Sequence, residues 1–326
     1  MIEIYKGYEL IGLSPVYSRF VWTRRFARAG EFRLETHFCS ELFRELAIGN
    51  VIYKRDTDEA AIIEHRSVIQ TANDELLLVV AGRHLSSILD RRVFSFEGEI
   101  GVGELLRHII NTNFLAGAGA NRSMAGDGFR FIMGNLPNTI ISVEYRNQNV
   151  YNAISTLCAE HGLGFKVRFR PTERTLEFMF VQTNETDAIF SKEFANVIEQ
   201  NYIDDIERYR NVVYIDDQFV HNDTLFRGFE RREIAIAAPR GSGEMTYFLQ
   251  SARDALHENR KIQVLSSTIN PHSEQFVYQK DWDIGAMVTS RSADLGFMER
   301  ELVSEIVEIY GEEGLSLVVN LGSDMM

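Results

Sequence analysis

Apolar and polar side chains alternate in Gly30-Glu31-Phe32-Arg33-Leu34-Glu35-Thr36-His37-Phe38. Because successive side chains of a strand point to opposite faces, its two phenylalanines, leucine and threonine share one face. This pattern predicts a strand that is buried on one side only. Residues 19–26 precede it across a hairpin-like break at Ala29-Gly30, and we expect them to form a second strand.

The chain on both sides of this stretch continues as strands. Three more strands are predicted after it, at 50–55, 60–68 and 75–82, and a short helix at 40–46 interrupts them. The loop Thr71-Ala72-Asn73-Asp74 has the composition of a hairpin connection. Residues 1–95 are therefore expected to form the first of two small β-barrel domains.

Helical spacing replaces this alternation in the middle of the chain. Two amphipathic helices are predicted, at 103–114 and 149–161. Between them, residues 116–128 are rich in glycine and are expected to be a long loop that orders only on assembly. The second helix leads into a hairpin at 165–180. Residues 96–205 are thus predicted to be an inserted α+β domain.

Residues 206–326 turn β again and are expected to form the second barrel. A helix interrupts this region at 242–259. The predicted strands are 211–216, 230–237, 276–279, 286–290, 300–309 and 315–321. The resulting fold class is α+β, mainly β.

The two β regions resemble each other in the order of their elements. Each has an Ile-Gly turn, a strand, a long outgoing strand, a turn and a returning strand that ends in glycine. The first copy runs from Gly49 to Gly82 and the second from Gly285 to Gly322. Two interpretations stay open: any two antiparallel meanders look alike, or one module has been duplicated around an insertion. A duplicated chain that trimerises presents six similar modules, which suits docking on a hexameric ring.

Composition and charge exclude several classes of protein. The 326 residues carry 34 basic and 47 acidic side chains, a net charge of −13. This charge disfavours a nucleic-acid clamp or a partner for anionic membranes. The two cysteines are too few for a disulfide framework, so synthesis in a reducing cytoplasm is expected. We find neither a secretion signal nor an apolar run long enough for a membrane anchor.

Catalytic and metal-binding motifs are weak. We assign no catalytic, cofactor-binding or metal-binding residues, and we predict that the chain is not an enzyme. Gly241-Ser242-Gly243 is better explained by a helix N-cap at Ser242 than by a nucleophile. Gly126-Asp127-Gly128 lacks the further acidic residues of a calcium loop. Cys158 and His161 have ligand-like spacing but no second pair nearby, so packing and capping are favoured.

Clustered acidic residues permit two interpretations. Paired carboxylates are the machinery of a glycoside hydrolase, but acidic pairs also occur on solvated faces or along a channel wall that must not bind DNA. The candidates are Asp204-Asp205 with Glu207, Asp216-Asp217, Glu299 with Glu301, and Glu312-Glu313. The aromatic stretch 19–25 is either a ligand platform or a core strand whose arginines face outward, and we favour the core strand.

Order and spacing together resemble one family. Three stretches carry the likeness: Gly30-Glu31-Phe32-Arg33-Leu34 through Leu89-Asp90-Arg91-Arg92, Val150-Tyr151-Asn152-Ala153-Ile154 through Phe165, and Tyr209-Arg210-Asn211-Val212-Val213 through Gly322. The chain is similar to the baseplate hub, or tail-tip hub, proteins of long-tailed phages and phage tail-like particles of Gram-positive hosts.

This resemblance implies a structural homotrimer in the virion, at the baseplate of the tail. Two tube-like domains per chain would form a pseudo-hexameric ring through which DNA passes, and an acidic lumen would let DNA slide. One face would meet the tail tube or a distal tail protein ring. The other would meet spike, fibre or tape-measure proteins.

Two other functions are kept as alternatives. One is a tail-associated cell-wall hydrolase with two convergent carboxylates in the middle domain. The other is a receptor- or carbohydrate-binding tail-tip module with clustered exposed aromatic residues. The chain ends soon after Gly322, which leaves no room for the enzymatic extensions of longer relatives and favours the structural role.

Overall fold

The computed structural model describes residues 2–14, 17–71, 73–216, 219–237, 245–294 and 296–322. Strands predominate over helices in these ranges, which confirms an α+β, mainly β fold class. The predicted N-cap at Ser242, together with Ala72 and Asp217, lies outside them.

The N-terminal strands form an antiparallel sheet that we call the first module. Its strands are β1 (Ile2–Lys6), β2 (Glu9–Ser14), β3 (Arg19–Arg25), β4 (Glu31–His37), β5 (Val51–Lys54), β6 (Glu59–Gln70) and β7 (Leu76–His84). They pair in the order β2-β1-β5-β6-β7-β4-β3, and α1 (Ser40–Glu45) connects β4 to β5. Phe32 and Leu34 are buried on β4 whereas Glu31 and Arg33 are exposed, as the alternation predicts.

A helical layer follows the first module. Its elements are β8 (Val93–Gly101), α2 (Val102–Phe114), β9 (Phe129–Ile132), β10 (Ile140–Asn149), α3 (Val150–Glu160), β11 (Leu163–Arg170) and β12 (Thr175–Gln182). The predicted helix positions are reproduced, and Asn149 caps α3 by accepting a hydrogen bond from Asn152. The apolar faces of both helices pack on the β11–β12 hairpin in one core that also contains Tyr5 and Tyr53. The middle region is therefore packed directly on the first module.

The glycine-rich segment has more structure than the expected long loop. Two single 3₁₀ turns, Ala116–Ala118 and Ala125–Asp127, interrupt it. The Tyr8 hydroxyl donates a hydrogen bond of 2.7 Å to the backbone carbonyl of Asp127. A Cβ at Gly128 would lie 2.1 Å from the carbonyl oxygen of Arg174, so this glycine permits a close backbone approach.

The strands predicted at 211–216 and 230–237 and the helix predicted at 242–259 form a separate small α/β unit, and not part of the second barrel as expected. The chain first forms β13 (Asn184–Phe190) and β14 (Val197–Asp205). It then enters a separate sheet of β15 (Val212–Ile215), β16 (Phe219–His221) and β17 (Glu233–Ile236), covered by α4 (Met245–Glu258). Val213, Ile215 and Phe248 lie in its core.

The remaining strands complete what we call the second module. They are β18 (Ile262–Ile269), β19 (Ala286–Ser292), β20 (Phe297–Gly311) and β21 (Gly314–Gly322). The pairing order is β19-β20-β21-β18-β14, and β13 adds to β19 in parallel. The strand predicted at 276–279 is wrong, because only an isolated bridge joins Tyr278 to Trp282.

The two modules join edge to edge rather than closing separately. β3 of the first module pairs with β20 of the second, so the strands of the two modules belong to one sheet. Neither expected barrel is closed within these residues. β13 and β14, from the region expected as an insertion, pair with β19 and β18 of the second module.

Candidate functional site

The two modules share a strand order. The set β5-β6-β7-β4-β3 and the set β19-β20-β21-β18-β14 have the same sequence of neighbours, and every neighbouring pair is antiparallel. The order along the chain is also the same, because β3 and β4 precede β5 just as β14 and β18 precede β19. The same connectivity therefore occurs twice in one chain.

A β-bulge occupies the same place in both modules. In β6 the register with β7 shifts between Ile63 and His65. In β20 the register with β21 shifts between Val303 and Glu305. A bulge adds one residue to a strand and increases its twist, and it is specific to its position in a sheet. Any two meanders share turns, but a matched bulge supports true equivalence of the modules.

The turns before β5 and β19, the strands that precede the two bulged strands, also match. Gly49 has φ 88° and Gly285 has φ 84°, a region that favours glycine. The N–H of Gly49 donates to the carbonyl of Ile63, and that of Gly285 to the carbonyl of Val303, both at 2.9 Å. In each module, the turn glycine is therefore bonded to the residue that begins the bulge.

The junction between the modules is an antiparallel pairing. Along it, Arg25 of β3 lies opposite Glu305 of β20, and Phe20 lies opposite Tyr310. β19 pairs with the N-terminal half of β20, from Phe297 to Leu302. β20 is therefore long enough to pair with β19 of its own module in its N-terminal half and with β3 of the first module in its C-terminal half.

Arg24 is a buried cation at this junction with carboxylate partners on both sides of it. Arg24 is 3% exposed, and its Nε lies 2.9 Å from Oε2 of Glu59. Its other nitrogens donate to the Tyr278 hydroxyl at 2.9 Å and to the carboxylate of Asp283. Burial alone would lower the pKa of Arg24, but its interactions with Glu59, Tyr278 and Asp283 raise it well above its ordinary value. Arg24 therefore joins a first-module carboxylate to two second-module groups.

A second buried pair lies beside it. The Nζ of Lys54 is 2.8 Å from Oε2 of Glu308, whose side chain is fully buried. The hydroxyls of Tyr278 and Tyr310 donate to the same carboxylate at 2.7 and 2.6 Å. We call these groups the junction network: Arg24, Lys54, Glu59, Tyr278, Asp283, Glu308 and Tyr310.

His84 lies against the network without joining its hydrogen bonds. Its ring centroid is 4.3 Å from that of Trp22, and its Nε2 is buried with no hydrogen-bond partner. Burial lowers the pKa of His84 to about 4. Although burial opposes it, the charges of Arg24 and His84 lower the pKa of Glu59 to about 2. The network thus sets two cationic side chains, Arg24 and Lys54, against three carboxylates, Glu59, Asp283 and Glu308, and its contacts join the two modules.

Sequence reasoning missed this network. Arg24 was expected to face outward, and that expectation is wrong because the even-numbered side chains of β3 face the core. The burial of Glu308 could have been predicted, because it shares one strand face with Ile306 and Tyr310. No local signal identified Glu59 and Asp283 as the partners of Arg24, because these two carboxylates are 224 positions apart in sequence.

The predicted acidic clusters lie on separate elements. Asp204 is at the edge of the main sheet and pairs with Lys261 at 3.0 Å. Asp216 follows β15 in the small α/β unit, and Glu312-Glu313 form the turn between β20 and β21. Burial, and then the charge of Glu299, raises the pKa of Glu301 to about 6, and these two carboxylates lie two positions apart on the same strand, β20. The clusters do not converge on a common cleft.

A cleft of about 340 Å³ lies between α3 and α4. Asp254 and Glu258 line it together with Arg28 and Arg260. The two carboxylates are thus matched by two guanidinium groups. The cleft therefore has a mixed lining of acidic and basic side chains and not a dedicated pair of carboxylates.

The remaining candidates have structural roles. Cys158 is buried in the α3 core, and burial raises the pKa of its thiol. The backbone N–H of His161 caps the end of α3. Asp127 lies in a 3₁₀ turn. Within the described ranges no cluster of His, Cys, Asp or Glu has the geometry of a metal site, and none of the helices is long and apolar enough to cross a membrane.

Comparison with solved structures shows where this fold occurs. The tail protein from Neisseria meningitidis MC58 aligns with a TM-score of 0.60 at 14% identity, over 99% of this chain and 96% of that one. The 43 kDa tail protein of prophage MuSo2 from Shewanella oneidensis aligns with a TM-score of 0.57 at 10% identity, over 99% and 97%. The E. coli c3393 protein, a type VI secretion component described as structurally similar to T4 bacteriophage tail proteins gp27 and gp5, gives 0.52 at 11%, over 100% and 77%.

Sequence comparison gives the family. No curated protein sequence matches the chain. The family model described as Siphovirus ReqiPepy6 Gp37-like protein matches residues 2–224 and 243–323, which is most of the chain. The resemblance to phage baseplate hub proteins is confirmed by this match together with the shared tail-protein fold. The chain belongs to the Siphovirus ReqiPepy6 Gp37-like protein family.

Proposed function

We propose that this chain is the structural hub of a phage tail baseplate, and that three copies form a ring of six similar modules. The observation that carries this proposal is the matched strand order and bulge of the two modules. A single chain with two equivalent modules converts threefold symmetry into near-sixfold symmetry. Such a ring fits the end of a hexameric tail tube.

The regions of the chain divide this work. The first and second modules, from residues 1–95 and 206–326 with β13 and β14, form the ring and close the tube-like barrel that one chain leaves open. The middle region, within 96–205, projects from one face. Ring modules contact the tail tube or a distal tail protein, and the projecting region contacts spike, fibre or tape-measure proteins.

The charge of the chain suits passage rather than binding of DNA. A net charge of −13 repels a phosphate backbone, so a lumen that carries part of this charge lets DNA slide without being held. A neutral or basic lumen in the assembled ring would contradict this part of the proposal.

A structural role is favoured over a catalytic one. The predicted acidic clusters are spread over separate elements, and the α3–α4 cleft is lined by arginines as well as carboxylates. We expect no clearing of cell-wall substrate by the purified protein. Clearing that is lost on substitution of Glu301, the acid with the raised pKa, would instead support a hydrolase.

The test of the proposal is the mass of the particle in solution. Mass photometry of the purified chain should show a species with three times the chain mass of 37.4 kDa. Light scattering at high concentration covers the case of weak association. A stable monomer at high concentration would contradict the hub.

A further inference from the structure

Two strands pair at the junction between the modules, β3 and β20. Their equivalents in the opposite modules, β14 and β6, have no such pairing among the described residues. β3 of the first module covers residues 305–310 of β20. Its equivalent in the second module is β14, and among the described residues β14 pairs only with β18. The equivalent of β20 is β6, whose residues 64–70 have β7 on one side and no described strand on the other.

We propose that β14 of one copy pairs antiparallel with residues 65–70 of β6 in the next copy, which repeats the junction between the modules across the subunit boundary. This inference rests on the proposed trimer and specifies its interface. The contact is head-to-tail, so three copies close a ring in which internal and intersubunit junctions alternate.

The equivalence of the modules fixes the register of this pairing. The bulges align His65 with Glu305, and the ladders through β7 and β21 align β3 with β14. Arg25 lies opposite Glu305, so Asp205 is expected opposite His65 of the next copy. The register then continues to Gln200 opposite Gln70.

The exposed side chains of β6 and β14 show that no neighbouring strand covers these two edges, whereas β20 covers β3. Phe20 and Trp22 on β3 are 1% and 0% exposed, because β20 and the core cover them. By contrast, Tyr202 on β14, which is equivalent to Trp22, is 44% exposed, and Val68 on β6, which is equivalent to the fully buried Glu308 of β20, is 40% exposed. Apolar side chains on an uncovered strand edge invite pairing with another chain.

The charges on the two edges are complementary. The proposed register brings Asp204 opposite Arg66 and Asp205 opposite His65. The internal junction has the reverse arrangement, since Arg25 of β3 pairs with Glu305 of β20 at 2.6 Å. β3 is thus basic at the positions where β14 is acidic. This difference favours pairing of β3 with β20 and of β14 with β6, and it disfavours the swapped pairings.

Disulfide trapping tests the register. In a Cys39→Ser background, Ser67→Cys and Ile203→Cys place two thiols opposite each other, at a Cβ separation of about 4.5–5.5 Å. Oxidation should give covalent dimers and trimers on denaturing gels. The matched control combines Ser67→Cys with Asp204→Cys. Position 204 is one residue away from the position opposite Ser67, so the two thiols lie on opposite faces of the sheet. We expect at least tenfold less cross-linking in the control.

The outcomes separate this inference from the hub itself. A trimer by mass that does not cross-link, or that cross-links equally in the control, overturns the β14–β6 interface but leaves the hub standing. A chain that never associates overturns both.

Charge reversal gives a second readout without cysteines. Asp204→Arg should raise the concentration at half dissociation at least tenfold, and adding Arg66→Asp should restore it. Failure of the double variant to recover association would contradict the register.

Discussion

The edge strands β3 and β14 hold equivalent places in two modules of one chain, yet their environments differ. β3 is covered by β20, and its Arg24 is buried in the junction network. β14 lies at the open edge of the sheet, and its Asp204 makes an exposed ion pair with Lys261. The same position is thus a buried interface in one module and an exposed surface in the other. The proposed ring accounts for this difference, because β14 would be covered there by β6 of the next copy.

The largest expected effect comes from breaking the buried junction. Arg24→Met leaves Glu59 buried without its cation, and loss of one partner of a buried ion pair costs about 3–5 kcal/mol of unfolding free energy. Urea denaturation at a concentration where the chain is monomeric measures this cost.

The matched control uses the equivalent position of β14. Asp204→Asn removes an ion pair in which both side chains are 40% exposed, so the cost should stay below about 1 kcal/mol. Equal costs at the two positions would show that the edges do not differ as described.

The paired turn glycines give the next largest difference. Gly49→Ala should cost about 1–2 kcal/mol of unfolding free energy, because an alanine is strained at φ 88°. It adds no clash, since no other atom lies within 4 Å of the new Cβ. Gly285→Ala adds a clash, since its Cβ would lie 2.5 Å from the Phe26 ring. We expect a total of about 2–4 kcal/mol for this variant. Thermal unfolding of both variants compares them, and a smaller loss at Gly285 would contradict the packing of Phe26.

Acid should weaken the first module through His84. The unfolded chain binds a proton near pH 6.5, but the folded chain binds it only near pH 4, so stability falls as the pH is lowered between these values. We expect a loss of about 2 kcal/mol by pH 5. His84→Gln should flatten this profile, whereas His37→Gln, at an exposed position of β4, should leave it unchanged. An identical profile in wild type and His84→Gln would contradict this assignment.

The smallest effect is expected at the rim of the junction. Arg25→Gln removes ion pairs to Glu305 at 2.6 Å and to Glu31 at 2.7 Å, on a side chain that is 26% exposed. The cost should be about 0.5–1 kcal/mol and should shrink in 1 M salt, where the Debye length is about 3 Å. A cost that grows with salt would exclude an electrostatic origin.

Regular elements could be predicted because their patterns are local. The alternation of β4 and the helical spacing of α2 and α3 identified these elements. The glycine turns at Gly49 and Gly285 suggested the repeat. Each of these features depends on residues a few positions apart, where periodicity is a direct consequence of backbone geometry.

Other elements could not be predicted, for physical reasons. β14 contains Glu199-Gln200-Asn201, because an exposed edge strand has no buried face to enforce alternation. The bulge at Ser304 shifts the side-chain phase of β20 and hides the strand period. The inward orientation of Arg24 depends on Glu59 and Asp283, which only the folded chain brings together. The candidate site was thus less predictable than the fold.

Electron microscopy of the purified particle tests the central claim most directly. Class averages viewed along the axis should show threefold symmetry with six similar densities around the lumen. Particles with twofold symmetry, or trimers in which only three densities surround the axis, would contradict the equivalence of the two modules.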